Sequence, residues 1–359
     1  LFDRMKSSVK NAKSVMLALG ALGMLLLLLV VDINPKDTGY TQIINNKIRR
    51  EDIIEGWDLY RKRLDEMKNQ CKLLPSHIPQ YSLKSVYSQF IYAKPHNLVY
   101  CPINKVATST WFDNILVLAG FKNTTDMEHK RKMVRMKLWK FSKSKSKYKK
   151  QLQKSLKFFI VRHPFDRLLS CYRDKMLYEE YKGKFPTIQQ ETALKYPDPI
   201  QPSPITNGIT VFKNDQANQN NSQALWIHPT FTQFLYFVRD DMKQLWQSNG
   251  DYKINPHWAP YWVICAPCQV KFDVLAHLET IDQDNSFVMH ETGIQHLLNL
   301  THLHDAKYDN FSSTALAKQH YFSQVPRSLL REIERLYHPD MALFGYSAKP
   351  YLDMALQDL

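Results

Sequence analysis

Asn97-Leu98-Val99-Tyr100-Cys101-Pro102-Ile103-Asn104-Lys105-Val106-Ala107-Thr108-Ser109-Thr110-Trp111 reads as a buried strand, a polar turn and the opening of a helix. Further along, Lys157-Phe158-Phe159-Ile160-Val161-Arg162-His163-Pro164-Phe165-Asp166-Arg167-Leu168-Leu169-Ser170-Cys171-Tyr172-Arg173 repeats the pattern. The expected elements are a strand over 97–101, a helix over 110–119 stopped by Gly120, a strand over 157–161 and a helix over 164–176. Pro164 falls at a first helical position, where a missing N–H costs nothing. Cations and hydroxyls gather where each strand exits, an arrangement that suits a doubly phosphorylated nucleotide held at helix N-termini.

Outward from these blocks, 359 residues give room for one large α/β domain plus extras. With 44% hydrophobic and 12% aromatic residues the chain is not a disordered one. Its net charge of +14 resembles a nucleic-acid signature until it is located. Between Lys130 and Lys157 stand thirteen Lys or Arg and no acid, so the remainder is near neutral. The basicity is one local feature, with two readings. It is either a solvated segment or an attractor of anionic polysaccharide near the nucleotide site. A nucleic-acid partner is not expected.

Five cysteines, Cys71, Cys101, Cys171, Cys265 and Cys268, are too few and too loosely spaced for a small disulfide scaffold. Cys265-Ala-Pro-Cys268 has zinc-knuckle spacing but no second pair to complete a site, so one or two structural disulfides are expected, with connectivity open.

Val15 to Val31 is an unbroken apolar run. At about 1.5 Å per residue it is just long enough to cross a thin bilayer. Arg4, Lys6, Lys10 and Lys13 precede it while Asp32 and Asp37 follow, which places the amino end in the cytoplasm. No small-x-small cleavage site follows, so an uncleaved anchor is favoured over a signal peptide. The start at Leu1 suggests a truncated amino end. The expected organisation is a tail over 1–14, a transmembrane signal-anchor over 15–31, a lumenal stem over 32–85 and a lumenal catalytic domain over 86–359. Sequons at Asn123, Asn220, Asn299 and Asn310, candidate glycosylation sites, all lie beyond the anchor. A helical stripe over 43–71 either pairs with a second copy, giving a homodimer through the stem, or lies on the domain. The Pro-, Gln- and Asn-rich stretch 182–222 reads as a long surface excursion. Near the carboxyl end, Leu329, Leu330, Ile333, Leu336 and Tyr337 form an amphipathic helix that Pro339 terminates.

The turn from Lys105 to Thr110 brings a lysine, three hydroxyls and free helix-start N–H groups onto whatever anion sits there. It is no Walker loop, because Gly-x-x-x-x-Gly-Lys-Ser/Thr is absent and the chain has only 10 glycines. That disfavours a nucleotide kinase. Arg162 stands at a strand end, and Ser170 and Arg173 share a helical face, so the three could hold a second phosphate.

Taken together, Lys-Val-Ala-x-x-x-Trp and Val-Arg-His-Pro-Phe-x-Arg-Leu-x-Ser-x-Tyr-Arg-Asp-Lys resemble blocks of the HNK-1 sulfotransferase family of Golgi carbohydrate sulfotransferases. So do His257-Trp258-x-Pro260, Cys265-x-Pro267-Cys268, Phe272-Asp273, Glu279-Thr280, Tyr321-Phe322-Ser323 and Leu343-Phe344-Gly345-Tyr346. The resemblance covers roughly 95–347, in family order. It implies a P-loop-like sulfotransferase fold, a central parallel sheet flanked by helices, and 3′-phosphoadenosine 5′-phosphosulfate as donor. Lys105, Val106, Ala107, Thr108, Ser109, Thr110 and Trp111 match the loop for the 5′-phosphosulfate, and Arg162 and Ser170 the residues for the 3′-phosphate. Asn104 stands where the family usually has proline, and Thr110 where asparagine is common.

Lys105 and the loop amides would then stabilise charge in the transition state. No divalent metal is required, because a sulfuryl group carries less charge than a phosphoryl group. The acceptor hydroxyl needs a base, for which His257 is the first candidate and Glu279 the second. The expected enzyme is a single-pass type II Golgi sulfotransferase acting on an anionic glycosaminoglycan or glycoprotein glycan, first the 4-hydroxyl of N-acetylgalactosamine in chondroitin or dermatan. Glucuronic acid, N-glycan termini and a non-catalytic membrane-anchored glycan-binding protein are the alternatives.

Overall fold

The computed structural model describes residues 50–74, 78, 83–120, 145–177, 185–196, 198, 228–298, 311 and 313–358. The chain divides into two units, Leu1–Ile54 and Glu55–Leu359. Of the first, only residues 50–54 are described. The anchor over 15–31, the four sequons and most of the basic run lie outside the described residues. Among those described, no helix is long and apolar enough to cross a membrane.

A four-stranded sheet organises the second unit: β1 (Ile91–Ala93), β2 (Leu98–Cys101), β3 (Leu156–Val161) and β4 (Val274–His277), in that spatial order. β1 turns through a 3₁₀ helix over Lys94–His96 to pair antiparallel with β2. The β2–β3 and β3–β4 pairs are parallel, with Leu98 opposite Leu156 and Phe158 opposite Val274. Parallel strands are covered on both faces, which is why they read as continuous apolar runs. Val99, Tyr100, Phe158, Phe159, Ile160 and Val161 are all 0% exposed. The register leaves two ends to the sheet, one with three strand starts and one with three strand exits.

Among the described residues the helices are α1 (Arg50–Leu73), α2 (Leu83–Ser88), α3 (Thr108–Leu118), α4 (Lys145–Lys154), α5 (Pro164–Lys175), α6 (Phe185–Lys195), α7 (Phe231–Gln247), α8 (Tyr261–Ile264), α9 (Ile281–Glu291), α10 (Thr314–Phe322), α11 (Arg327–Leu336), α12 (His338–Phe344) and α13 (Lys349–Met354). The mixed order of strands and helices gives the expected α/β class. Pro339 does not close the last amphipathic helix but sits in the first turn of a new one, α12. There its fixed φ suits a helix start.

The stretch read as a long excursion begins with α6, which is packed. Gln189 and Thr192 are buried, and Gln189 Nε2 donates to the Lys175 carbonyl at 2.9 Å. Gln233, locked in a capping box with Thr230 at the start of α7, donates to the Ala193 and Tyr196 carbonyls at 3.2 and 2.8 Å. These buried amides satisfy helix-end carbonyls, and polar composition alone cannot distinguish that from a solvated loop.

From Glu55 onward α1 lies on the domain, the second of the two readings of this stripe within the expected stem. Tyr60, Leu64 and Met67 are buried, the Tyr60 hydroxyl donates to Asp284 at 2.6 Å, and Arg63 pairs with Asp284 at 3.0 Å. The apolar stripe is therefore used within the chain. Two disulfides, Cys71–Cys268 and Cys101–Cys265, take both sulfurs of the Cys-x-x-Cys segment, which removes the zinc reading and staples α1 and the end of β2 to one turn.

Gly56 lets α1 approach α9. A Cβ there would stand 2.6 Å from the ring of Phe287. Gly56→Ala should therefore lower stability by about 1–3 kcal/mol in thermal or urea unfolding, despite alanine's better helix propensity.

Asp340 caps α8, accepting from the Tyr261 N–H at 2.9 Å and the Trp262 N–H at 3.4 Å. Burial pushes its carboxyl up to about 7, with nearby Arg167 opposing the shift. A raised carboxyl binds protons more tightly folded than unfolded, so its contribution is full at acid pH and is lost as pH rises through about 7. Asp340→Asn should flatten that decline in melting temperature between acid and neutral pH.

Candidate functional site

The loop leaving β2 is held from below by its own apolar residues, Ile103 and Val106, both 0% exposed. It turns without glycine. Lys105 (φ 72°) and Ala107 (φ 58°) both sit in the left-handed region. For residues with a Cβ this costs about 1–2 kcal/mol each and persists only where surrounding contacts hold it. Those contacts are visible. The Thr108 hydroxyl donates to the Ile103 carbonyl and is 3.2 Å from the Tyr100 hydroxyl. Having spent its one proton on Ile103, Thr108 accepts from Tyr100.

Ala107 in this conformation is also the N-cap of α3, which is why the helix begins at Thr108 rather than Thr110. No side chain caps it, and the first backbone bond into the helix is Trp111 N–H to the Ala107 carbonyl at 3.1 Å. The amides of 108–110 thus have no intrahelical acceptor, an anion-binding terminus. Lys105 reaches across to α5, its Nζ 2.8 Å from Asp174. Ser109 and Thr110 keep half-buried hydroxyls with no partner among the described residues. Val106, Thr108 and Trp111 are used otherwise: Trp111 is 0% exposed and its indole donates to Asn285 at 3.1 Å.

On the neighbouring strand, Tyr261 grips the backbone of Arg162. Its hydroxyl accepts from the Arg162 N–H and donates to the Arg162 carbonyl, both at 2.9 Å. The half-buried Arg162 guanidinium has no hydrogen bond or ion pair among the described residues, and neither has the Ser170 hydroxyl two turns into α5. Arg173, expected to share their task, is 7% exposed and engaged within the chain. His163 caps α5. Its Nδ1 accepts from the Phe165 N–H at 3.1 Å and its Nε2–H donates to the Ser347 carbonyl at 3.0 Å, and burial lowers its pKa.

The two candidate bases stand apart. Glu279 follows β4, exposed, and accepts from the His163 N–H at 3.2 Å and the Tyr346 hydroxyl at 3.0 Å. It neighbours the exit of β3, with β3 between it and the Lys105 loop. His257 belongs to the loop side. Arg167, 2% exposed, sends Nε to the Asn104 carbonyl at 3.0 Å, Nη1 to Ala259 at 2.6 Å and Nη2 to Pro256 at 3.1 Å. One guanidinium thereby ties the residue before Lys105 to the residue before His257. The Asn255 Oδ1 takes the His257 N–H at 3.0 Å and faces His257 Nδ1 at 3.0 Å. An amide oxygen that accepts from a backbone N–H requires a protonated Nδ1 opposite it, which leaves Nε2 as the basic nitrogen.

Sequence reasoning missed Arg167, Tyr261 and Asp340, which position the site without lining it. The apolar period of α5 marks Phe165, Leu168, Leu169 and Tyr172, and Arg167 reads there as one more exposed cation. Lysine cannot reach three diverging carbonyls. Arg167→Lys should cost about 3 kcal/mol of stability in equilibrium unfolding, because the vacated acceptors stay buried.

The sulfotransferase family model matches residues 88–347. Carbohydrate sulfotransferase 10 of Homo sapiens is 26% identical over 307 residues, covering 82% of this chain and 77% of its own. The protein of that name from Gallus gallus is 25% identical over 306 residues with the same coverage. Carbohydrate sulfotransferase 14 of Danio rerio is 25% identical over 267 residues, 73% of this chain and 63% of its own. No solved structure matches. Since the matched span contains both strand exits and everything that braces them, this chain belongs to the sulfotransferase family.

Proposed function

We propose that this protein is a carbohydrate sulfotransferase that moves a sulfuryl group from 3′-phosphoadenosine 5′-phosphosulfate to a glycan hydroxyl. One observation carries the reading. Two adjacent parallel strands end in an uncapped helix start beside Lys105 and in Arg162, which, like Ser170 two turns into α5, has no partner among the described residues. Buried or half-buried cations and amides left unmatched are poised for anions, and two such sets side by side fit a donor with phosphates at both ends of a ribose. A pure glycan-binding protein would have no use for them.

In this reading the amides of 108–110, with Ser109 and Thr110, take the 5′-phosphosulfate, and Arg162 with Ser170 takes the 3′-phosphate. Lys105 exchanges its Asp174 contact for the bridging oxygen as the sulfur–oxygen bond breaks, stabilising charge on the departing nucleotide. The acceptor oxygen forms the new bond to sulfur while its proton passes to His257 Nε2. Glu279, across β3 and holding two donors, orders the 3′-phosphate side rather than taking a proton. The first acceptor to assay is the N-acetylgalactosamine 4-hydroxyl of chondroitin or dermatan, with glucuronic acid and N-glycan termini beside it. Two disulfides and the apolar run over 15–31 support a type II protein of the Golgi lumen.

Calorimetry with adenosine 3′,5′-bisphosphate tests the donor site. Arg162→Ala should weaken binding by about 10- to 100-fold and Ser170→Ala by several-fold. In radiolabelled sulfate transfer to a panel of desulfated glycans, Lys105→Ala and His257→Ala should each lower kcat about 100-fold or more. His257→Ala should leave nucleotide affinity unchanged, and Glu279→Gln should retain most activity. Folded protein that binds no nucleotide would end this reading.

A further inference from the structure

The described part of the basic run ends away from the nucleotide site. Helix α4 ends at Lys154, immediately before β3 begins at Leu156, so its carboxyl end stands at the strand starts, whereas Arg162 and the Lys105 loop stand at the strand exits. At about 3.3 Å per residue, β3 separates the two ends by about 17 Å.

Lys147, Lys149, Lys150 and Lys154 are exposed and make no ion pair among the described residues. Lys147, Lys150 and Lys154 recur at i, i+3 and i+7, so they line one face at about one cation per helical turn of roughly 5.4 Å. No acid occurs between Lys130 and Lys157 to relieve their repulsion, and like charges at this spacing destabilise an isolated helix. The strand-start edge adds more positive charge. Exposed Lys94 is in the turn before β2, tied in by Leu156 N–H to the Asn97 carbonyl at 2.8 Å, and exposed Lys271 precedes β4. Asp273, an acid at this edge, is already paired with Lys157 at 2.5 Å.

We infer that α4, with Lys94 and Lys271, is a second anion-binding surface, built of residues other than those of the donor site, that holds a linear polyanionic polysaccharide along its length. Cations placed once per turn match a polymer with charge repeated sugar by sugar, better than they match a single phosphate. The oxidising compartment indicated by the disulfides favours a glycan over nucleic acid. A chain held there keeps its remaining sugars at high local concentration around the strand exits. Only this last consequence rests on the sulfotransferase reading; the surface itself does not.

The test is binding of the whole protein to immobilised chondroitin sulfate chains across a salt series. The Lys147→Gln, Lys150→Gln, Lys154→Gln triple variant should bind about ten-fold or more weakly near physiological salt, with the log–log salt slope reduced by about two to three. The control triple Lys68→Gln, Lys243→Gln, Lys349→Gln removes the same charge from lysines already paired with Asp65, Glu332 and Asp353, and should bind as the parent does. Nucleotide titration reports folding and the donor site separately, and should be unchanged in both. Equal binding by the α4 variant and the parent, an equal loss in the control, or preference for anionic lipid vesicles over the polysaccharide would each overturn the proposal. Nucleotide binding without polysaccharide binding would remove this surface and leave the donor site standing.

Discussion

A single buried guanidinium holds the site together. Arg167 has given up water for three backbone carbonyls, one on the β2 loop and two on the 256–259 segment, with the ring of Tyr261 5.0 Å away. A desolvated charge is costly unless every donor finds an acceptor in good geometry. The fork therefore requires the loop and the histidine segment to be in place together. It also steadies the loop at Asn104, whose carbonyl it clamps. The same clamp helps hold Lys105 and Ala107 in left-handed conformations that no glycine eases.

A second chain of contacts fixes the other half. Asp340 caps α8, Tyr261 opens it, and the Tyr261 hydroxyl fastens both backbone groups of Arg162. Charge is thus set at the strand exit by residues far along the chain, and the Arg162 side chain keeps its bonds for something else. The Cys101–Cys265 disulfide ties the end of β2 to the end of α8, so the two halves share a covalent floor as well.

What could be read in the sequence follows from what leaves a local pattern. Strands buried on both faces appear as apolar runs, and the β2 and β3 ends were placed to within a residue. Helix α5, opened by Pro164, was equally plain. The placement of Lys105 and Arg162 just past strand exits was legible for the same reason. The hidden features are those whose partners lie far away in sequence. Buried Arg167 and Gln189 look like surface residues, Asp340 looks like any helix-start acid, and the cysteine pairing is set by tertiary approach alone. Position within a sheet is also invisible locally, which is why the basic run carried two readings and only the structure shows that α4 ends at the strand starts.

Two neighbouring strand exits are proposed to bind opposite ends of one nucleotide. A crystal structure of the protein with adenosine 3′,5′-bisphosphate decides whether they do. The 5′-phosphate should lie against the amides of residues 108–110 and the 3′-phosphate between Arg162 and Ser170, with Arg167 still on its three carbonyls. A nucleotide bound elsewhere, or one whose phosphates both sit on a single strand exit, would contradict it.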